Sequence, residues 1–378
     1  MLAGTAGLGL AGAFGWWQAA PRNATGQRPI PQPGSTAMVS FPPNLTNQQL
    51  AGQRVIYSYP GATPPSSLLS DISAGLVGGV IFFGENITST SQIAGVISQL
   101  RQAAAHSPVK LPLLLMTDQE GGLVRRLPGQ PTLSAKQMGQ AADPVAAASA
   151  GGTGAGQNLR AVGMNVNLAP VLDVFYTAGN FIDQFQRSFS NNPATVASLG
   201  SAFISAQQAT AVAATAKHFP GLGSAATSQN TDTGSVTLNV SQNQLHTIDE
   251  VPYPAAISAG VMLIMCSWAL YPALDASLPA GLSPTIVSGE LRGRNGFRGV
   301  TITDALEAGA LAAYGTTAQR AVKAAGAGMD LILCSARDVS QGDSARGALA
   351  TALGNGSLDA TSFHAATQRI SWLRAALF

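Results

Sequence analysis

From residue 54 onward the chain repeats one pattern of polarity: a short apolar run, a loop, then a longer stretch of helical character. The runs are RVIYSY (54–59), GGVIFF (78–83), LPLLLMTD (111–118), VNLAPVLDV (166–174), TAKHF (215–219), VMLIMCSW (261–268), GVTITDAL (299–306) and MDLILCS (329–335). Between them lie Ala- and Gln-rich stretches such as SQIAGVISQLRQAAAHS (91–107) and NPATVASLGSAFISAQQATA (192–211). Continuous apolar runs, rather than alternating ones, indicate strands buried on both faces. Eight such strands alternating with helices predict an α/β fold, a single-domain (β/α)8 TIM barrel over residues 50–378. A doubly wound open sheet is the alternative. The phosphate-binding G-x-G-x-x-G of its nucleotide-binding version is missing after the first run.

Most of the runs end in a side chain capable of chemistry: Asp118 and Glu120, Asp173, Lys217 with His218, Trp268 and Asp304. The carboxyl ends of barrel strands converge on one face, where barrel enzymes place their active sites. Residues far apart in sequence thereby become neighbours.

Composition narrows the chemistry. The 378 residues are 46% hydrophobic and only 10% charged, which supports a large core under a neutral, polar surface. Net charge is +2 and no basic run extends beyond Arg125 and Arg126, which argues against a nucleic-acid groove. Cys266 and Cys334 both sit inside apolar runs and read as buried free thiols; sequence cannot place their sulfurs within bonding reach. The four histidines are scattered without zinc-ligand spacing, so neither a metal nor a cofactor is expected. Residues 1–49 form an apolar N-terminal segment followed by a Pro/Gly-rich linker. Residues 1–20 carry no charge and have the length of a membrane span or a signal h-region, although the basic n-region is missing. The expectation is an extracellular protein, released or anchored on the outer face, with Trp16 and Trp17 as interfacial residues if the segment meets a membrane.

Each candidate residue has two readings. Asp304, at the end of a β-prone stretch, is a nucleophile or the cap of the next helix. Asp118 and Glu120, beside a Gly-Gly turn and two arginines, form a surface ion-pair cluster or hold hydroxyl groups of a ligand. The same pair of readings applies to Arg187, Lys217 and His218, with a buried Lys requiring a partner. Trp268 is expected to stack on a ligand face at the rim, and Trp372 to pack a closing helix.

KHFPG (217–221), DQEGG (118–122), NLAPVLDV (167–174), RSFS (187–190), YPALD (271–275), LSPTIV (282–287) and LRGRNGFRGVTITDAL (291–306) occur in order and at consistent spacing. Together they resemble the family 3 glycoside hydrolases, and within them the single-barrel β-N-acetylglucosaminidases. The resemblance implies that Asp304 is the nucleophile of a retaining mechanism. It implies that Asp118, Arg187, Lys217 and His218 hold the hydroxyls of the sugar in the first subsite. Asp173 matches a structural acid beneath that subsite, with a helix cap or loop anchor as its competitor. The implied substrate is a β-linked amino sugar or glucose-type residue at a non-reducing end, a cell-wall fragment if the family preference holds. The enzyme is expected to act as a monomer.

The pattern breaks at one place. The family loop reads KHFPGHGD and continues to an Asp-x-His acid/base dyad; this chain reads KHFPGLGS, with Leu222 for the second His and Ser228 and Asn230 at the dyad positions. Neither Ser nor Asn ionises as an acid at useful pH. Trp268 stands where the family commonly has His, and Leu123 where D-x-EGGRV has Arg. Asp232, on the same loop, is the expected replacement acid. Glu120, Glu307, and His246 or Asp249 are the other candidates. The alternative function is a catalytically impaired barrel of the same family that only binds glycans.

Overall fold

Each of the eight apolar runs supplies one parallel strand: β1 Val55–Tyr57, β2 Gly79–Ile81, β3 Leu114–Thr117, β4 Val166–Asn167, β5 Ala213–Phe219, β6 Leu263–Cys266, β7 Val300–Thr303 and β8 Ile332–Leu333. The structure, a computed structural model, describes residues 41–377, so the apolar N-terminal segment lies outside the described residues. Strands pair in sequence order, β8 pairs with β1, and a bridge between Ile302 and Leu331 joins β7 to β8. The sheet is therefore a closed (β/α)8 barrel rather than an open doubly wound sheet.

The continuous apolar runs have a simple cause. Successive side chains on a strand point to opposite faces, and both faces of this sheet are covered. Ile56, Ile81, Leu114, Met116, Val166, Leu263, Met265, Val300, Ile302 and Leu333 fill the barrel interior. Their neighbours Val55, Tyr57, Val80, Leu115, Ala214, Ile264 and Cys266 face the surrounding helices. Cys266 and Cys334 are both buried and free.

The run at 166–174 is regular over Val166–Asn167 alone. Pro170 has no N–H to give a ladder, yet the chain stays beside β5: Leu172 donates to the Lys217 carbonyl (2.7 Å) and Lys217 to that of Pro170 (3.2 Å). This course carries Asp173 towards His218. The helix at Pro144–Val162 starts from an Asp143 cap and ends at Gly163, whose φ of 94° a residue with a Cβ rarely adopts. The last helix, Ala360–Ala376, closes the amino-terminal end of the barrel. Its Ile370 and Leu373 join the interior cluster, and Trp372 packs against it as expected. Arg374 is buried and bonds the carbonyls of Leu111 (2.8 Å) and Pro112 (2.7 Å) and the side chain of Gln53.

Candidate active site

Beyond β3 the chain turns at once into a two-stranded ribbon, Gln119–Gly121 paired with Val124–Arg125. Gln119 pins it, bonding the carbonyls of Leu127 and Gln130 and accepting from the Leu127 N–H. Gly121 has φ 114°, and a Cβ there would fall 2.2 Å from the Leu133 carbonyl oxygen. Asp118 and Glu120 are thereby set at the carboxyl end of the barrel.

Lys217, near the end of β5, places Nζ 2.7 Å from Asp118 Oδ1 and 2.8 Å from Glu120 Oε1. Arg187 grips Glu120 with two parallel bonds of 2.9 and 2.8 Å, the bidentate geometry in which such pairs are strongest. Burial alone would raise the Glu120 pKa, but Arg187 and Lys217 together hold it well below the usual carboxylate range. Burial would likewise lower Lys217, and Asp118 and Glu120 reverse this and raise it. Glu120, Arg187 and Lys217 are therefore held in their charged forms. Glu120, read from sequence as part of an ion-pair cluster or as an alternative acid, is the anion that joins the two cations. The sequence signal was only that a buried lysine requires an anionic partner, not which acid would supply it.

His218 completes the set. Its Nδ1 lies 2.7 Å from Asp173 Oδ2, and its Nε2 is 3.4 Å from Arg187 Nη2. The two ring nitrogens thus face an acid on one side and the Arg187 guanidinium on the other. Asp173 also accepts the backbone N–H of His218 (3.2 Å) and of Leu222 (2.7 Å), so it both anchors the loop and orients the imidazole. These bonds and His218 hold Asp173 low although burial would raise it.

Asp304 follows β7 and is half-buried. Its Oδ1 accepts the Ala305 N–H at 2.8 Å, and its other oxygen has no hydrogen-bond partner among the described residues. Asp232 comes to the same region on the loop after β5. Its carbonyl accepts the Gly309 N–H (2.9 Å), and the Thr231 carbonyl accepts that of Ala310 (3.0 Å), so the loop is tied to the segment just beyond Asp304. Asn230 builds the turn: its Oδ1 accepts the Asp232 N–H at 2.9 Å. The Asp232 side chain reaches solvent. Partial burial and the nearby Asp304 raise its pKa, against the opposing pull of His218 and Arg187.

The other candidate acids go elsewhere. Glu307 bonds Ser335 Oγ (2.6 Å) and Gln341 (3.0 Å). Asp249 is buried against Tyr176 Oη (2.7 Å). His246 faces Glu290 (3.2 Å). His246, Glu250 and Glu290 bring one ligand atom each within 4.8 Å of one another. Arg294 already bonds both carboxylates, which makes the group an ion-pair network between two helices. A groove of about 600 Å³ lined by Arg101, Lys110, Leu111 and Arg160 lies at the amino-terminal end of the barrel, away from these acids.

Trp268 corrects an expectation. It is 1% exposed, so neither ring face is open for a sugar. Gly281 explains why: a Cβ there would lie 2.5 Å from Trp268 Cζ3, and the missing side chain is the slot that the indole fills. The sequence showed a Trp at a strand end but not the slot provided thirteen residues later.

A closed parallel barrel with carboxylates, a lysine and a histidine gathered at its carboxyl end is an enzyme architecture, here of the glycoside hydrolase type. The glycosyl hydrolase family 3 N-terminal domain profile matches residues 49–373, and the chain belongs to this family. It is 47% identical over 329 residues, 86% of this chain and 93% of the relative, to a protein of Arthroderma benhamiae described as a secreted glycosyl hydrolase. Among solved structures it is similar to a β-N-acetylhexosaminidase of Beutenbergia cavernae, with a TM-score of 0.79, 34% identity, and coverage of 86% of this chain and 98% of that one. A family 3 β-N-acetylglucosaminidase of a Paenibacillus species gives a TM-score of 0.82 at 33% identity over 88% of this chain and 63% of that one. The protein is a β-glycoside hydrolase.

Proposed function

We propose that the chain is a retaining, exo-acting β-N-acetylhexosaminidase in which Asp304 is the nucleophile and Asp232 the acid/base. Asp118, Arg187, Lys217 and His218 hold the hydroxyls of the terminal sugar. The observation that carries the reading is the loop of Asp232, tied by two backbone bonds to residues just beyond Asp304 and setting the two carboxyls in each other's field. A retaining glycosidase needs two carboxyl groups beside the scissile bond, one to attack and one to carry the proton. The names of the two solved relatives support the amino sugar. The secreted relative and the uncharged residues 1–20 support export. Among the described residues no helix is long and apolar enough to cross a membrane.

In the first step an Asp304 oxygen bonds to the anomeric carbon as the bond to the leaving oxygen breaks. That oxygen takes the Asp232 proton. In the second, Asp232 removes a proton from water, whose oxygen attacks the anomeric carbon and frees Asp304. The buried cluster contributes through fixed geometry, since its charges need not reorganise during reaction.

Comparison of wild type with Asp232→Asn tests the acid assignment. Turnover of a natural disaccharide falls by roughly 10²–10⁴-fold, while formation of the glycosyl-enzyme from a nitrophenyl glycoside, whose leaving group needs no proton, is largely spared. The protonated form of Asp232 is the active acid, so wild-type activity on the disaccharide declines as pH rises through its raised pKa. This limb is absent in the variant. Equal turnover of the disaccharide by both proteins would show that another group supplies the proton.

A further inference from the structure

Trp268 is excluded from the sugar by burial, yet it lies one residue from the centre of the site. Its indole Nε1–H donates to the Ala305 carbonyl at 2.8 Å, and the Ala305 N–H donates to Asp304 Oδ1 at 2.8 Å. Ala305 is thus held at its carbonyl by Trp268 while its amide holds the carboxylate. The indole cannot shift away, because it fills the slot over Gly281. The turn at Ala280–Leu282 is itself fastened to the end of β6, with the Ala280 N–H on the Ala269 carbonyl (3.0 Å) and the Gly281 N–H on that of Ser267 (3.1 Å). From the other side Leu306 donates to the Leu333 carbonyl of β8 (2.9 Å). Residues 304–306 are therefore clamped from both flanking strands; Arg320 also donates to the Leu306 carbonyl (3.0 Å), and Trp268 is the side chain that holds Ala305, whose amide holds the carboxylate.

We propose that Trp268 is a positioning residue for the nucleophile: through Ala305 it fixes which Asp304 oxygen is bound to the backbone and which is left free to attack. The inference rests on the assignment of Asp304 in the proposed function. A rigid nucleophile matters because displacement by a fraction of an ångström costs reactivity without altering the groups that bind substrate. The binding groups, Asp118, Arg187, Lys217 and His218, stand on other elements and make no hydrogen bond to Trp268.

The test uses a 5-fluoro glycosyl fluoride of the sugar that the wild type accepts, with covalent labelling followed by intact mass. Trp268→Phe keeps the ring in its slot and removes the donor. Its labelling rate constant at saturation falls roughly tenfold, KM for the nitrophenyl glycoside stays within about twofold, and the fraction finally labelled is complete. Gly281→Ala, which pushes the indole instead of deleting its N–H, gives the same split of kcat from KM. A folded Trp268→Phe that labels at the wild-type rate overturns the inference and leaves the nucleophile assignment standing. So does a loss that appears only as a smaller labelled fraction at unchanged rate, the signature of a merely structural role. A wild type that acquires no label while turning over substrate removes the assignment and this inference together.

Discussion

Glu120 and Asp249 are both acids removed from solvent, and their surroundings drive them in opposite directions. Glu120 has two cations at hydrogen-bond distance and stays ionised. Asp249 has a Tyr176 hydroxyl on one oxygen and no partner on the other, and burial pushes its pKa up to about 8. An unfolded aspartate releases its proton near pH 3.9, so between that pH and about 8 the folded state holds a proton that the unfolded state has lost. Stability from this group is complete at low pH and declines as pH rises through the window. Asp249→Asn therefore makes the protein more stable at pH 8 by on the order of 1 kcal/mol or more and flattens the decline between pH 5 and 8. Urea unfolding at the two pH values measures this, and an unchanged pH dependence would show that Asp249 is ionised in the fold. Neither fate was legible in sequence. DQEGG and HTIDE each show an acid near a strand or helix end, and only the packing of Arg187 and Lys217 on one, and of Gly221 and Tyr176 on the other, separates them.

The loop from Leu222 to Val240 carries Asp232, the acid/base of the proposed mechanism. The resemblance to the family puts Ser228 and Asn230 at the dyad positions, with Asp232 as the expected replacement acid. The fold adds two facts that residue types do not carry. Asn230 serves as the turn acceptor that presents Asp232, and Gly309 gives the loop its seat. A Cβ on Gly309 would meet the Thr233 carbonyl carbon at 2.5 Å and the Gly234 nitrogen at 2.9 Å, both backbone atoms that cannot swing aside. Gly309→Ala must then lift the loop and carry Asp232 away from Asp304. The expected result is a roughly 10–100-fold lower kcat on a disaccharide, with formation of the glycosyl-enzyme from a nitrophenyl glycoside and thermal stability little changed. Equal losses on both would mean that the substitution disturbs Asp304 itself.

At the scale of the whole molecule the barrel was written plainly in the chain. Strands covered on both faces must be apolar at every position, and eight such runs recur with helices between them. The ends of the runs also placed Asp118, Lys217, His218 and Asp304 on one face. What the pattern could not carry was depth: it put Trp268 at the same mouth, although the slot over Gly281 draws it under the surface. Nor could it show that Arg374, near the C-terminus, would reach the segments before β1 and β3 and fasten the closing helix to the barrel. These features depend on partners distant in sequence, which local propensity does not encode. Together they hold a half-buried carboxylate with one free oxygen above the barrel end. The measurement that tests this account most directly is peptide mapping after labelling with the 5-fluoro glycosyl fluoride. The account predicts one sugar per chain, carried on the peptide that contains Asp304 and absent from Asp304→Asn. A sugar on any other carboxylate, or steady turnover by Asp304→Asn, would contradict it.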